Sequence, residues 1–282
     1  MASQPTIAII APGEMGSGVG ALLARRGARV LTSLAGRSAA SAARARAAGM
    51  EDAPDEALGG ADMILSICPP GEAMAVATRL APVLRGAAVK PLYADCNAIG
   101  PDTVCDVAAV IEAAGADFVD AGIIGAPPRE DGYTPAIYAS GPGAARLAAL
   151  NAYGLDVRVM DGPVGQASAL KMCYAGLTKG LHAVGVSVML GAIESGVAGA
   201  FFDELEDSQP ALLAYFTGRT PGIFPKAYRW VAEMEEISAF LGGGGGQIYD
   251  GAARQFQRLA DDHASGRLDQ AALLAFLRGG GV

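Results

Sequence analysis

Apolar positions in the first half of the chain follow two alternating rhythms. Short runs at Thr6 to Ile10 (TIAII), Arg29 to Leu34 (RVLTSL) and Asp62 to Ile67 (DMILSI) have the length and β-branched content of buried strands. Between them lie longer Ala- and Leu-rich stretches compatible with helix, at Gly18 to Arg26, Ser38 to Ala48 and Gly71 to Leu84. Ser38 stands where a hydroxyl caps a helix, and Pro101 opens a further helix at the favoured first position. More strands are expected within Val89 to Asp95 and at Phe118 to Asp120, Ala136 to Ala139 and Val157 to Met160. Strands alternating with helices of this length imply right-handed crossovers and a parallel sheet. The pattern predicts an α/β fold, a Rossmann-type doubly wound sheet.

From about Gly165 the strand rhythm stops. Helix-compatible sequence then runs to the end, interrupted by Pro210, Pro221, Pro225 and the run Gly242–Gly246, which reads as a mobile loop. Two domains are expected: residues 1–164 as the dinucleotide-binding domain, and residues 165–282 as an all-helical substrate and dimerisation domain. A long interdomain helix is expected over about 165–195.

Composition narrows the class of protein. Of 282 residues 51% are hydrophobic and 18% charged, enough to fill a large core and far from the signature of disorder. A net charge of −8 argues against a nucleic-acid partner, which needs basic surface to displace counterions. Cys68, Cys96, Cys105 and Cys173 show no CxxC spacing and no His at metal-ligand distance, so they read as free thiols, with no metal expected. Met1 to Ala11 lacks the pattern of a signal peptide, and the apolar stretch Leu181 to Ile193 is too short and interrupted to span a bilayer. A cytoplasmic protein with no membrane partner is the expectation.

The first turn reads Ala11-Pro12-Gly13-Glu14-Met15-Gly16, with Ala11 in place of the first glycine of GxGxxG. Gly13 removes the Cβ that would hold a pyrophosphate off the backbone, and Gly16 permits close helix–strand packing. The N-terminus of the following helix supplies amides and a positive dipole end. Residues 13–16 are therefore assigned to the cofactor. At the end of the second strand no acid appears until Glu51, whereas Arg37 and Ser38 offer a guanidinium fork and a hydroxyl for a 2′-phosphate. NADP is the expected cofactor, with NAD as the alternative.

With this turn placed, the chain resembles the β-hydroxyacid dehydrogenases, the group of 3-hydroxyisobutyrate and 6-phosphogluconate dehydrogenases, in a divergent branch with a distinct C-terminal domain. The Met-Gly ending of the cofactor turn carries part of the resemblance. So do Ile67-Cys68-Pro69-Pro70, Asp95-Cys96-Asn97-Ala98-Ile99-Gly100-Pro101, and Gly165-Gln166-Ala167-Ser168-Ala169-Leu170-Lys171. The resemblance implies that Cys68, Pro69 and Asn97 lie along the nicotinamide ribose and ring, and that Lys171 is the catalytic acid/base. It also implies a homodimer.

Two departures bear on substrate. The family's Asn four residues after the lysine is Ala175 here, and the serine of its substrate loop is Ile124, preceded by Ile123. A small hydroxy acid loses anchors by both changes, so a larger, less polar substrate, or one held by other groups, is expected. Helical spacing places Tyr174, Thr178 and His182 on the face of Lys171, with Tyr174 a candidate for the lost orienting role and His182 reading as a hydrogen-bonded core residue. Lys179 reads as a solvated end. The resemblance implies that a lysine in the cluster from Pro225 to Ile237 approaches the substrate, with Lys226 the nearest candidate, and Trp230 reads as core or dimer interface. The sequence thus predicts an NADP-dependent oxidoreductase acting on a hydroxyl or carbonyl group. The alternatives are an imine reductase on the same fold and a non-catalytic NADP-binding sensor.

Overall fold

A computed structural model of the chain describes residues 4–279. They form two compact units, one ending at Met172 and the other beginning at Cys173. The first unit carries strands β1 Thr6–Ile10, β2 Arg29–Thr32, β3 Glu51–Asp52, β4 Met63–Ser66, β5 Leu92–Asp95, β6 Phe118–Ile124, β7 Ala136–Ser140 and β8 Asp156–Val159. Its helices are α1 Glu14–Arg25, α2 Ala39–Ala47, α3 Asp55–Leu58, α4 Ala73–Gly86, α5 Pro101–Ala113 and α6 Ala144–Leu147, and it includes the start of α7, Gln166–Glu194.

The strands form one sheet in the order β3-β2-β1-β4-β5-β6-β7-β8. Both faces are covered, which explains the unbroken apolar strands. Ile7, Ile9, Val30 and Leu65 face one core with α1, while Ala8, Ile10, Leu31 and Ile64 face the other with α4 and α5.

The sheet is parallel except between β6 and β7, which pair antiparallel, Asp120 opposite Ser140. No crossover helix intervenes between Ile124 and Ala136, so β7 returns as the second arm of a hairpin, with β8 parallel to it. The short strand β3 has no apolar signal in the sequence, because Glu51 and Asp52 are both exposed.

The second unit continues α7 and adds α8 Ala198–Ser208, α9 Pro210–Arg219, α10 Ala227–Leu241, α11 Gly243–Ala264 and α12 Leu268–Phe276. Pro210 starts α9 at its first position. The glycine run is not a loop: only Gly242 lies outside helix, with φ of 61°, and α11 begins at Gly243. A Cβ at Gly246 would stand 2.6 Å from the Ser238 carbonyl oxygen, so glycine here lets α11 start directly against the end of α10. Helix α7 runs unbroken through Gly185 and Gly191 for 29 residues, long and apolar enough to cross a membrane by length and composition alone. At Gly185 a Cβ would run into the Phe216 ring, so the missing side chain is filled by an aromatic one.

One expectation for α7 changes in the second unit. Lys179 is no solvated end; its ammonium pairs with the buried Glu233 carboxylate and lies 5.1 Å from the centre of the Trp230 ring. The partner sits 54 positions away, beyond the reach of any local pattern. His182 is buried among rings, stacked on Tyr215 at 4.9 Å and edge-on to Phe216 at 5.7 Å. Burial, with the Arg219 charge adding to it, holds its pKa down at about 4, so the imidazole is neutral.

Candidate active site

Strand β1 lies between β2 and β4, so the chain departs in opposite directions from its two neighbours. In an open α/β sheet the crevice at the carboxyl ends of such strands is where ligands bind. The dinucleotide turn stands there. Its base is fixed by Ala11 N donating to Ile67 O at 3.1 Å, which ties the turn to the end of β4. Gly16 is buried, and a Cβ on it would run into the Ala11 carbonyl oxygen. The helix can start this close to the strand only because residue 16 is glycine. Gly13 is the N-cap of α1, and nothing of the protein lies within 4 Å of where its Cβ would be. The turn is therefore open on the side a pyrophosphate needs, with the N-terminal amides of a twelve-residue helix behind it. A dinucleotide phosphate fits this turn. Glu14 is exposed at the helix start, and Met15 packs against the core.

At the end of β2, Arg37 is exposed in a turn closed by Arg37 N donating to Leu34 O at 3.0 Å. Ser38 caps α2, its Oγ accepting from Ser41 N at 3.2 Å. Arg44, three residues on from Ser41, was not among the expected site residues. It donates to Ser41 Oγ at 3.0 Å and to the Pro12 carbonyl at 3.3 Å, which joins α2 to the dinucleotide turn. The helical spacing of Ser41 and Arg44 was visible in the sequence, but their proximity to Pro12 was not. Asp52 is a second omission, its carboxylate accepting from Leu34 N at 3.1 Å. An acid thus does reach the end of β2, delivered by the neighbouring strand. A cavity of about 600 Å³ lies between Ser33–Ala35 and Asp52–Glu56.

The ends of β4 and β5 are locked together. Asn97 is buried; its Oδ1 accepts from Cys68 N at 2.6 Å, and its Nδ2 donates to Ser66 Oγ at 3.1 Å and to Asp95 at 2.8 Å. The Asn97 carboxamide is consumed in holding the Cys68–Pro69 loop. Burial pushes the Asp95 carboxyl up to about 7, against the pull of the Asn97 hydrogen bonds and helped by the Asp120 charge. Burial likewise raises the Cys68 thiol to about 11, a rise that the Ser66 hydrogen bond and the Arg37 charge oppose. Cys68 is therefore a neutral wall of the crevice and no nucleophile.

On β6 the fully buried Asp120 takes four donors: Gly165 N at 2.8 Å, Ser168 N at 3.0 Å, Ser168 Oγ at 2.7 Å and Ser140 Oγ at 3.1 Å. It caps the start of α7 and fixes that helix to the strand. One turn along, Lys171 Nζ donates to the Ile123 carbonyl at 2.7 Å. Gly122 makes this approach possible, since a Cβ there would meet the Ala167 carbonyl at 2.9 Å and Lys171 Cβ at 3.1 Å. Ile123 is buried and Ile124 partly so.

The glycine turn, Arg37, Ser38, Cys68, Pro69, Asn97, Ile123 and Ile124 thus follow or end strands of the first unit, and Lys171 reaches the end of β6 from the start of α7. Tyr174, Thr178 and Lys226 belong to the second. Tyr174 is exposed, the Thr178 hydroxyl donates to the Tyr174 carbonyl at 2.8 Å, and Lys226 is exposed in the 3-10 turn before α10. No group of His, Cys, Asp and Glu among the described residues is arranged to hold a metal ion.

Comparison with known proteins agrees with this geometry. The NAD binding domain of 6-phosphogluconate dehydrogenase matches residues 6–151, just over half of the chain, and a domain of unknown function, DUF1932, matches residues 192–259. An uncharacterised 28.5 kDa protein of Methanothermus fervidus is 29% identical over 181 residues, 64% of this chain and 68% of that one. A conserved protein of unknown function, described as structurally similar to 3-hydroxyacid dehydrogenases, is 28% identical with a TM-score of 0.69, over 95% of this chain and 99% of that one. The 3-hydroxyisobutyrate dehydrogenase of Mycobacterium tuberculosis, solved with L-serine, shares the fold at 20% identity and a TM-score of 0.65, over 98% and 99% of the two chains.

The chain belongs to the β-hydroxyacid dehydrogenase-like family, with the Rossmann-type NAD-binding domain of that family and a distinct helical C-terminal domain. It has the fold of the NAD(P)-dependent dehydrogenases and reductases and is an oxidoreductase of that family.

Proposed function

We propose that the chain is an NADP-dependent oxidoreductase acting between a hydroxyl and a carbonyl group, with Lys171 as general acid/base. The observation that carries this reading is the Lys171 ammonium, held at 2.7 Å from the Ile123 carbonyl at the end of β6. When bound, the nicotinamide supplies or accepts the hydride. In the reducing direction Lys171 gives a proton to the carbonyl oxygen as negative charge develops there, and in the oxidising direction it takes that proton from the hydroxyl. Gly13 to Gly16 receive the pyrophosphate, Cys68 and Pro69 form the wall along the nicotinamide ribose, and Asn97 sets that wall. Arg37 and Ser38 favour NADP through a 2′-phosphate, and Arg44 adds a second guanidinium on α2, the helix that Ser38 caps.

The absence of a hydroxyl at Ile124 and the burial of Ala175 support a substrate less polar than a small hydroxy acid at the reacting end. Tyr174, one turn beyond Lys171, is assigned to orienting the reacting oxygen. Thr178 and Lys226, together with Ile123 and Ile124, are assigned to the substrate. Residues 1–164 are assigned to the nucleotide and 165–282 to substrate and dimerisation. A homodimer is supported by α7, which exposes Tyr174, Leu177, Leu181, Val184 and Val188 at the spacing of one helical face, Leu177 at 73%. The four cysteines, all free, fit a reducing, cytoplasmic setting.

The test is a fluorescence titration with NADPH and NADH, followed by turnover with hydroxy acids, aryl alcohols and cyclic imines. Equal affinity for the two cofactors would sink the assignment of Arg37. Reduction of cyclic imines alone would move the reading to imine reduction. A Lys171→Ala chain that turns over normally would overturn the acid/base role of Lys171, and a wild type that binds NADPH but is inert to every substrate class would favour a sensor.

A further inference from the structure

The polar group missing at Ile124 has a candidate replacement in the loop that follows it. The β6–β7 loop, residues 125–135, leaves the sheet directly after the strand end that receives Lys171. It is a folded loop. Arg129 N donates to Tyr133 O at 2.9 Å and Gly132 N to Arg129 O at 3.3 Å. The Asp131 carboxylate accepts from Tyr133 N at 3.0 Å, and the Tyr133 hydroxyl accepts from Ala126 N at 3.1 Å.

The loop is also anchored on α1, the helix opened by the dinucleotide turn. A Cβ at Gly18 would stand 3.0 Å from Pro127 Cβ and 3.2 Å from Pro128 Cδ, so glycine here lets the two prolines lie on the helix. The loop therefore spans from the Lys171 contact to the helix behind the pyrophosphate position. On it the Arg129 guanidinium lies over the Tyr133 ring, 5.0 Å from its centre, and makes no ion pair among the described residues. A guanidinium held on an aromatic face keeps its planar fork of donors free for an oxyanion.

We propose that Arg129 is an anion-binding residue of the site, taking either a substrate carboxylate or a phosphate of the dinucleotide. This rests on the function proposed above and sharpens it. The substrate source implies an acid whose carboxylate is separated from the reacting carbon by an apolar stretch, because Ile124 lies between the Lys171 contact at Ile123 and the loop.

Protection against phenylglyoxal, read at Arg129 by peptide mass spectrometry, tests the assignment. The exposed Arg158, paired with Asp156, serves as internal reference. Slowing by NADP alone, about tenfold at ten times its dissociation constant, identifies the phosphate source. Slowing only when 3-hydroxyisobutyrate or a longer hydroxy acid is added to the NADP-bound protein identifies the carboxylate source. An unchanged rate in both conditions, in protein that binds NADP by fluorescence, overturns the proposal. So does an Arg129→Ala variant with wild-type NADP affinity and wild-type KM for every acid that is turned over. Protein that binds neither dinucleotide would instead overturn the function on which the proposal rests, and the titration detects this before any labelling.

Discussion

Both units of the molecule bury charged and polar side chains, and they use them differently. In the first unit Asn97 and Asp120 are buried within or just after strands, and their hydrogen bonds end on the loop or helix beside the crevice. Asn97 holds the Cys68 loop and Asp120 holds the start of α7. In the second unit His182 and Glu233 are buried among aromatic rings and a lysine, at the centre of a helix packing. A buried ionisable group is thus no marker of chemistry by itself. What separates the two cases is whether its hydrogen bonds end on a segment that borders the place where substrate would sit.

Substitutions sharpen that contrast, the largest effect first. Lys171→Ala should lower turnover by about 100-fold or more while leaving NADPH affinity unchanged, measured by steady-state kinetics and fluorescence titration. Lys179→Ala should show the reverse profile. It strips the buried Glu233 carboxylate of its ion pair, and the expected loss is about 3 kcal/mol in chemical denaturation with NADPH affinity preserved. If Lys179→Ala abolished nucleotide binding instead, the division of labour between the units would fail. Arg37→Ala should weaken NADPH by about tenfold or more and leave NADH unaffected, the loss expected for charge-assisted hydrogen bonds.

The smallest effects are pH slopes, and here the units have opposite signs. Asp95 has its pKa raised to about 7 in the folded state, so its contribution is complete below the ordinary carboxylate value and is lost as pH rises through about 7. His182 has its pKa lowered to about 4, so its contribution is complete above the ordinary histidine value and is lost as pH falls toward 4. Melting temperature followed between pH 4 and 7 should respond accordingly. Asp95→Asn should remove a loss of stability with rising pH, and His182→Phe a loss with falling pH. Identical slopes in both variants would break the comparison.

The sequence was most legible where both sheet faces are covered. Runs such as Thr6–Ile10 and Met63–Ser66 must be apolar throughout, so strand and helix alternate visibly along the chain. The glycine turn, the Ser38 cap and Pro101 at a helix start were legible because each depends on backbone geometry within a few residues. The glycine run at Gly242–Gly246 misled for the converse reason. Its composition is that of a loop, yet close approach to Ser238 makes the same glycines suitable for starting a helix.

What the sequence determined by itself is local: which segments are strand or helix, which turn opens a helix on glycine, and which lysine stands on the long helix after the sheet. Contacts between residues far apart in the chain were decided only by the tertiary structure. Asp52 reaches the end of β2, Arg44 reaches Pro12, Asp120 caps α7, and Lys179 finds Glu233. Side-chain periodicity records which face of an element is buried, but it does not record which distant element covers that face. Sheet order and helix packing supply that information, and they are properties of the folded chain as a whole.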